Sequence, residues 1–165
     1  MKKKILVLSS TFPRWENDHE PPFVYELSRR FTDHYEVYVL APHTAGSKIN
    51  EKIGHLNIRR FRYAPKYFEK LSYNGGISTN LKNHPLRYFL VIPFILAELL
   101  YTIYIIRKEK INLIHAHWII PQGLVAIISV LFSRKKPAIL ITAHGTDVFT
   151  LKNPLVLFIK RFILN

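Results

Sequence analysis

The sequence predicts an α/β fold with a doubly wound parallel sheet, and two features of the chain support this prediction. Short apolar runs, each too short for a helix, alternate with longer segments of helical apolar spacing. Several of these runs end in polar, chemically capable residues, which is typical of parallel strands that deliver their carboxyl ends to one edge. We therefore expect a ligand crevice at that edge, where helix amino ends and loop amides collect.

The bulk composition suits a single domain with a real core. The chain has 165 residues, 48% of them hydrophobic, which excludes global disorder. Cysteine is absent, so disulfides, thiolate zinc sites and cysteine catalysis are excluded, and a reducing compartment fits. A net charge of +13 favours nucleic acid, an anionic membrane surface or phosphorylated small molecules as partners. Because the basic residues are spread along the edges of apolar segments, we do not expect nucleic-acid binding.

The first half of the chain predicts three strands. Residues 4–9 form a short aliphatic run, too short for the apolar part of a signal peptide, and we expect a first strand there. Residues 23–31 have helical apolar spacing, and residues 35–41 are rich in β-branched and aromatic side chains. Residues 56–63 alternate, which fits a third strand near the sheet edge. Residues 64–85 show no sustained period and indicate a surface loop with at most a short helix.

The second half begins with a long apolar helix over residues 86–110. Its central part, residues 88–106, is about long enough to span a bilayer and carries one charge, Glu98. Because Pro93 and Glu98 oppose a spanning helix, we favour a buried or interface-lying helix, and a membrane span stays open as the alternative.

Two further strands are expected at residues 111–116 and 138–142, joined by a crossover helix over residues 124–132. A last apolar helix, residues 155–164, follows Asn153-Pro154 and has no strand behind it. We therefore expect residues 1–165 to be one domain, truncated before its last strand.

Candidate ligand-binding residues cluster after the last two strands. His115 and His117 lie two positions apart, so an extended chain points both to one side. A buried structural histidine is an equally good interpretation of His115, whereas His117 and His144 suit ligand contact better. Gly145 permits a sharp turn beside the imidazole of His144 and the carboxylate of Asp147, although a turn capped by Asp147 explains the same motif.

A metal site is the rival interpretation of these residues. His115, His117, His144 and Asp147 could supply imidazole and carboxylate ligands for a metal-dependent hydrolase. Only one carboxylate lies near these loops, and metal sites usually bring more around their ligands, so we disfavour a metal and expect none. The glycine motifs of dinucleotide-binding enzymes and P-loop NTPases do not occur either.

Taken in order, the segments ILVLSSTFPR, PPFVYELSRRF, VYVLAPHTAG, INLIHAHWIIPQG and ILITAHGTDVF resemble the amino-terminal half of family 4 glycosyltransferases, which are retaining enzymes of GT-B fold. The resemblance covers nearly the whole chain. It implies the Rossmann-like, acceptor-side N-terminal domain of an enzyme whose nucleotide-sugar domain, with its glutamate pair, is absent from this sequence. We therefore expect a hexosyltransferase-type enzyme that needs no cofactor or metal and is inactive as this fragment alone.

The resemblance also implies roles for individual residues. His144 would contact hydroxyls of the donor sugar, and Asp147 would lie with it at the catalytic centre. His117 would line the same cleft. The loop over residues 11–18 would approach the donor diphosphate or the acceptor. Many members carry a glycine pair in this loop, whereas this sequence has Asn17-Asp18 there, so the resemblance does not extend to a phosphate-binding role. The other predicted substrate-binding residues are Gly145, Thr146, Gln122, Thr11, Arg14 and His43.

The expected partners are a nucleotide-sugar donor, a glycan or lipid-linked acceptor and the missing C-terminal domain. Family members often use lipid-linked or surface-polysaccharide acceptors, so a basic, aromatic-rich domain suits a cytoplasmic enzyme that is peripheral on the inner face of the cell membrane. The same aromatic side chains could instead fill the core between helix and sheet. A membrane-surface or polyanion-binding module without catalysis is the alternative function.

Overall fold

A computed structural model describes residues 2–18, 22–149 and 153–164, without the side chains of Thr146 and Leu155. These residues form one six-stranded sheet flanked by helices on both faces. The strands are β1 (Lys3–Leu8), β2 (Tyr35–Pro42), β3 (Asn50–Ile53), β4 (Leu56–Phe61), β5 (Leu113–His117) and β6 (Ala138–Thr142).

The sheet has the strand order β3-β4-β2-β1-β5-β6 and is parallel except for β3. The order reverses between β1 and β5, because the chain leaves β4 and crosses to the other side of β1. Open sheets of this kind bind ligands in the crevice at the reversal, outside the carboxyl ends of the strands. The predicted α/β class with a doubly wound sheet is confirmed.

Within the described residues, six α-helices connect the strands or pack beside them. They are α1 (Phe23–Arg30), α2 (Gly76–Asn83), α3 (Val91–Glu109), α4 (Leu124–Leu131), α5 (Thr146–Phe149) and α6 (Pro154–Leu164). Two 3₁₀ segments flank α2, at Lys66–Phe68 and Pro85–Leu90, and a third, Phe31–Asp33, follows α1. A wide turn, Ile119–Gly123, in which Ile120 has an extended backbone, precedes α4.

Alternating strand residues divide the core into two layers. Leu6 and Leu40 face α3 and α4, whereas Val7 and Val39 face α1. The imidazoles of His115 and His117 lie on the α1 side, since Phe31 packs edge-on against His115 at 5.9 Å. This alternation turns both histidines away from α3 and toward the α1 end of the crevice.

Helix α3 packs one face on the domain and leaves the other open. Its buried residues follow a helical spacing of three and four: Phe94, Glu98, Thr102, Ile105 and Ile106. By length and composition, Pro85–Glu109 could cross a membrane, although a core helix passes the same test. In the described residues α3 lies against the sheet and α4, in agreement with the favoured expectation of a buried or interface-lying helix.

Two details differ from expectation. Strand β3 was not predicted, and it forms the edge of the sheet, with the strand expected near the edge, β4, beside it. The short helix that the interpretation of residues 64–85 allowed is α2. The predicted helix over 86–110 begins with a 3₁₀ segment, and Pro93 falls in the first turn of α3, where a missing N–H costs no helical hydrogen bond.

Candidate functional site

Three histidines form a stacked column at the carboxyl ends of β5 and β6. The ring centres of His115 and His117 lie 4.3 Å apart, and those of His117 and His144 lie 5.2 Å apart in parallel planes. His117 Nδ1 shares a hydrogen bond of 2.9 Å with His144 Nε2. His115 and His117 are buried, whereas His144 is half-buried, so the column opens to solvent only at His144.

The hydroxyl of Thr142 holds the inner end of the column, and no charged side chain of the described residues forms a hydrogen bond with the ring of His115. His115 Nε2 shares a hydrogen bond of 2.8 Å with Thr142 Oγ1. Among the described residues, His115 Nδ1 and His117 Nε2 have no hydrogen-bond partner, although both atoms are buried. Such unpaired buried nitrogens favour the neutral ring, because a charged imidazole would lose its hydration without compensation.

Burial therefore keeps the column uncharged. Desolvation, followed by the neighbouring imidazoles of His115 and His144, lowers the pKa of His117 to about 3. Desolvation also lowers the pKa of His115, with a smaller contribution from His144. The pKa of His144 is lowered by desolvation and raised to a lesser degree by Asp147. All three rings are consequently neutral at pH 7, so each can both donate and accept a hydrogen bond.

Two aromatic side chains enclose the exposed end of the column. The rings of Phe23 and Trp118 each lie 4.8 Å from His144. Trp118 has a φ of +76°, an uncommon conformation for a residue with a side chain, and it directs the chain from β5 into the wide turn. Sequence reasoning did not single out either aromatic, because nothing in their spacing separates a ring beside a ligand from a ring in the core.

Asp147 ties the two loops that carry the column. Its Oδ1 accepts a hydrogen bond of 2.9 Å from the backbone N–H of His144, and its Oδ2 accepts one of 2.7 Å from Ile119. The side chain is buried, and Gly145 supplies the φ of +74° that the turn between them needs. Asp147 thus serves the turn, as the capped-turn interpretation proposed, and it fixes His144 relative to the loop after β5.

A cavity of about 330 Å³ opens beside the column. Thr11 lines it at the end of β1, and Phe23 and Trp118 form the wall that it shares with His144. The opposite wall is the start of α2, where Gly75 and Gly76 have φ values of +105° and +81°. The sequence signal for this wall was the Asn-Gly-Gly run, which was interpreted as turn chemistry only.

The remaining predicted substrate-binding residues lie apart from the column. Gln122 is fully buried, and its Nε2 lies 3.2 Å and 3.3 Å from the two carboxylate oxygens of Glu98. His43 is buried with Nδ1 2.5 Å from Glu69 Oε2, and Arg14 forms hydrogen bonds of 2.7 and 2.8 Å with Asp18. These contacts do not support direct ligand binding by Gln122 or His43 in this arrangement. The side chain of Thr146 lies outside the described residues.

Glu98 was considered from the sequence only as the one charged residue in the central part of the long apolar helix, residues 88–106. Desolvation raises its pKa to about 8, opposed by the hydrogen bond from Gln122, so the carboxyl is protonated at pH 7. The buried Oε1 of Gln122 has no hydrogen-bond partner among the described residues. A half-turn of that amide would let Oε1 accept the proton of Glu98, which satisfies both groups.

The imidazoles lie ring to ring and do not converge on a common point. Within the described parts of the chain, no group of three or more His, Cys, Asp or Glu side chains is arranged to hold a metal ion. The described arrangement presents hydrogen-bonding atoms to a ligand, and the expectation that no metal is needed stays a prediction.

Comparisons with known proteins agree with the fold and the resemblance. The structure is similar to that of sucrose-phosphate synthase from Thermosynechococcus elongatus, with a TM-score of 0.57 and 15% identity, covering 98% of this chain and 71% of that chain. No curated protein matches the sequence. The predicted GT-B N-terminal fold is confirmed by this structural likeness. Residues 17–165 match the family described as glycosyl transferase 4-like, and the chain therefore belongs to that family, whose members are glycosyltransferases acting on a sugar donor and an acceptor.

Proposed function

We propose that this domain is the acceptor-side wall of a retaining glycosyltransferase that takes a sugar from a nucleotide-sugar, and that His144 contacts the hydroxyls of that sugar. The observation that carries the proposal is the state of His144. Its Nε2 is engaged by His117, its backbone N–H by Asp147, and its ring by two aromatic side chains, while the ring remains half-exposed.

These contacts leave Nδ1 of His144 as the ring atom that can meet a ligand. With both rings neutral, the hydrogen bond between His117 and His144 can run in either direction. If His117 donates, His144 presents an N–H at Nδ1, and if His144 donates, Nδ1 is an acceptor. Either form suits a sugar hydroxyl, which can donate and accept.

A hydrogen bond made to the sugar in the transition state acts by orientation and by dispersing charge. Its removal is expected to lower transfer about 100-fold to 1000-fold, the usual effect of deleting one such donor. Asp147, predicted as catalytic, acts in this proposal through position, because backbone amides occupy both of its oxygens.

The cavity beside Thr11 is the proposed acceptor side of the cleft. Its aromatic wall of Phe23 and Trp118 suits the apolar face of a sugar ring, and the amides at the start of α2 suit an anionic group. A glycan or a lipid-linked sugar is the acceptor class that fits. We assign stabilisation of the leaving diphosphate to a second, donor-binding domain of the enzyme, without a metal or a cofactor. We also propose that the enzyme acts in the cytoplasm.

The test is sugar transfer by the enzyme as the cell makes it, with a panel of nucleotide-sugars and glycan or lipid-linked acceptors. His144→Ala should lower kcat about 100-fold or more. The matched control is His55→Ala, which removes an exposed imidazole from the turn between β3 and β4. Unchanged turnover in His144→Ala would remove His144 from the site.

The same assay tests the finer parts of the proposal. NMR of the first-formed product should show the anomeric configuration of the donor sugar, and an inverted product would overturn retention. Activity should survive EDTA. Loss of activity in EDTA that is restored by a divalent ion would overturn the metal-independent mechanism.

A further inference from the structure

We propose that the outer face of α3 and the cationic cavity at its carboxyl end form a docking surface for an anionic phospholipid bilayer, with the cavity taking a headgroup phosphate. This inference is independent of the transfer chemistry, because the surface lies on the α3 side of the sheet, whereas the histidine column lies on the α1 side.

The first observation is an apolar stripe along α3. Ile92, Leu96 and Leu100 recur at a spacing of four and are 65%, 52% and 66% exposed, so they form one row opposite the buried face. The 3₁₀ segment before α3 adds Leu86 and Phe89, each 81% exposed. An exposed row of this size marks an interaction surface in a protein that otherwise buries its apolar side chains.

The second observation is a cavity of about 540 Å³ where this row ends. Four cationic residues line it together with Ile106 and Ser133: Arg107, Lys110, Arg134 and Lys135. Among the described residues, no acidic side chain lines this cavity. Arg107 falls on the same side of the helix as Leu96 and Leu100, so the stripe leads directly into the cavity.

Basic residues are common at the carboxyl ends of helices, where they offset the negative end of the helix dipole. The dipole charges here are too small to explain all four cations. The carboxyl ends of α3 and α4 each contribute about half a negative charge near the cavity. Four side-chain cations therefore leave an excess of about three positive charges. That excess favours an anion with several oxygen acceptors, such as a phosphate.

Charge complementarity selects a bilayer as the occupant. Residues 70–146 contain nine Lys and Arg and two acidic residues. Of these two, Glu98 is buried and Glu109 pairs with Arg59 and Lys4. An apolar row bordered by unopposed cations is the pattern of helices that lie in the interface of an anionic membrane. Leu131 and Phe132 extend the apolar border, because Arg107 donates a hydrogen bond of 2.9 Å to the carbonyl of Phe132.

The test is co-sedimentation of the purified protein with vesicles of phosphatidylcholine alone or with about one-third phosphatidylglycerol. Binding should require the anionic lipid and weaken in high salt. The double variant Arg134→Glu with Lys135→Glu should weaken binding at least about tenfold. The matched control, Arg29→Glu with Arg30→Glu on α1, makes the same change in net charge on the other face and should weaken it less than about twofold.

A second variant separates the apolar row from the cavity. Leu96→Gln with Leu100→Gln keeps every charge and should also reduce binding to anionic vesicles. All changed side chains are exposed, and thermal unfolding checks that each variant folds.

Several outcomes would overturn the proposal. These are equal binding to neutral vesicles, equal losses in the cavity and control variants, or a stable dimer that buries Leu96 and Leu100 and binds no lipid. Competition by free inorganic phosphate or by RNA as effective as that by anionic vesicles would show a soluble-anion or polyanion site instead, and would also overturn it.

Discussion

Two of the buried polar clusters in the described part of the domain, one around Arg60 on β4 and one formed by the histidine column on β5, lie on opposite sides of β1 and are stabilised in opposite ways. Around β4, Arg60 is fully buried and its guanidinium donates hydrogen bonds to Pro13, Glu51 and Tyr73 at 2.7, 2.9 and 3.3 Å. Around β5, the imidazoles of the histidine column meet one another and carry no charge.

The difference separates a group that builds the fold from groups that are available to a ligand. Arg60 joins the first loop, β3 and the segment before α2, so its charge is committed to holding these parts together. Among the described residues, both clusters contain buried nitrogens without a hydrogen-bond partner, Arg60 Nε in one and His115 Nδ1 and His117 Nε2 in the other, and each such group costs about 1–3 kcal/mol. The other nitrogens of Arg60 make three hydrogen bonds that offset this cost, whereas each buried imidazole makes one. A cost of this kind is more often retained at functional sites than elsewhere.

Replacing Arg60 with leucine should have the largest effect on stability. Removing the cation leaves Glu51 without its ion-pair partner and unties three segments, so we expect a loss of about 3–5 kcal/mol in the free energy of unfolding. Urea unfolding followed by circular dichroism measures it. A loss below about 1 kcal/mol would mean that the arginine cluster is not structural.

The histidine column should make the free energy of unfolding depend on pH. The pKa of His117 falls from 6.5 in the unfolded chain to about 3 in the fold, so the unfolded state binds more protons between these values. Stability should therefore rise with pH through this window and be lost as pH falls. Relative to His117→Phe, the wild type should lose about 3 kcal/mol more between pH 7 and pH 4. Parallel curves for the two proteins would contradict a buried neutral imidazole.

Asp147→Asn tests how the exposed end of the column is positioned. The amide can accept one backbone hydrogen bond, but its NH₂ group faces the other N–H, so we expect a loss of about 1–3 kcal/mol in stability. Transfer activity should fall as well, because His144 is no longer fixed. The control is Asp33→Asn, at the end of the 3₁₀ segment after α1. Full activity in Asp147→Asn would contradict the positioning role.

The smallest effect is expected at Arg62, which directly follows β4. Arg62 pairs with Glu69 at 3.2 Å, but its side chain is 47% exposed. Arg62→Ala should change the free energy of unfolding by less than about 1 kcal/mol, because the Arg62 end of the pair is half-exposed and the buried carboxylate of Glu69 keeps its contact with His43. A large loss here would show that the whole network, and not Arg60 alone, holds the loops.

Most of the fold could be predicted because four strands carry short runs of apolar or β-branched residues and a fifth, β4, alternates. Strand β3 could not, since Asn50–Ile53 contains one apolar residue and is stabilised by pairing with β4. Arg60 was assigned to an alternating edge strand, and its full burial depends on partners that lie far along the chain. Long-range pairing of this kind leaves no local sequence signal.

For the site, the sequence predicted which strand ends meet but not how deep each side chain lies. His117, His144 and Asp147 do come together, as expected from two adjacent parallel strands. His117 was expected nearer the ligand, yet it is fully buried behind His144. The contacts of Gln122 and His43 with Glu98 and Glu69 were likewise invisible, because spacing along the chain does not tell which carboxyl will be near.

The two edges of the sheet also have a practical consequence for handling the protein. Strand β3 is short, antiparallel and charged, which discourages another chain from pairing with it. Strand β6, with the sequence AILIT, has a strand neighbour on one side only in the described sheet, and Leu140 is 46% exposed. Aggregation at high protein concentration should therefore begin by pairing of β6 strands from different molecules. The substitution Leu140→Lys is the first change to make for improving the yield of soluble protein.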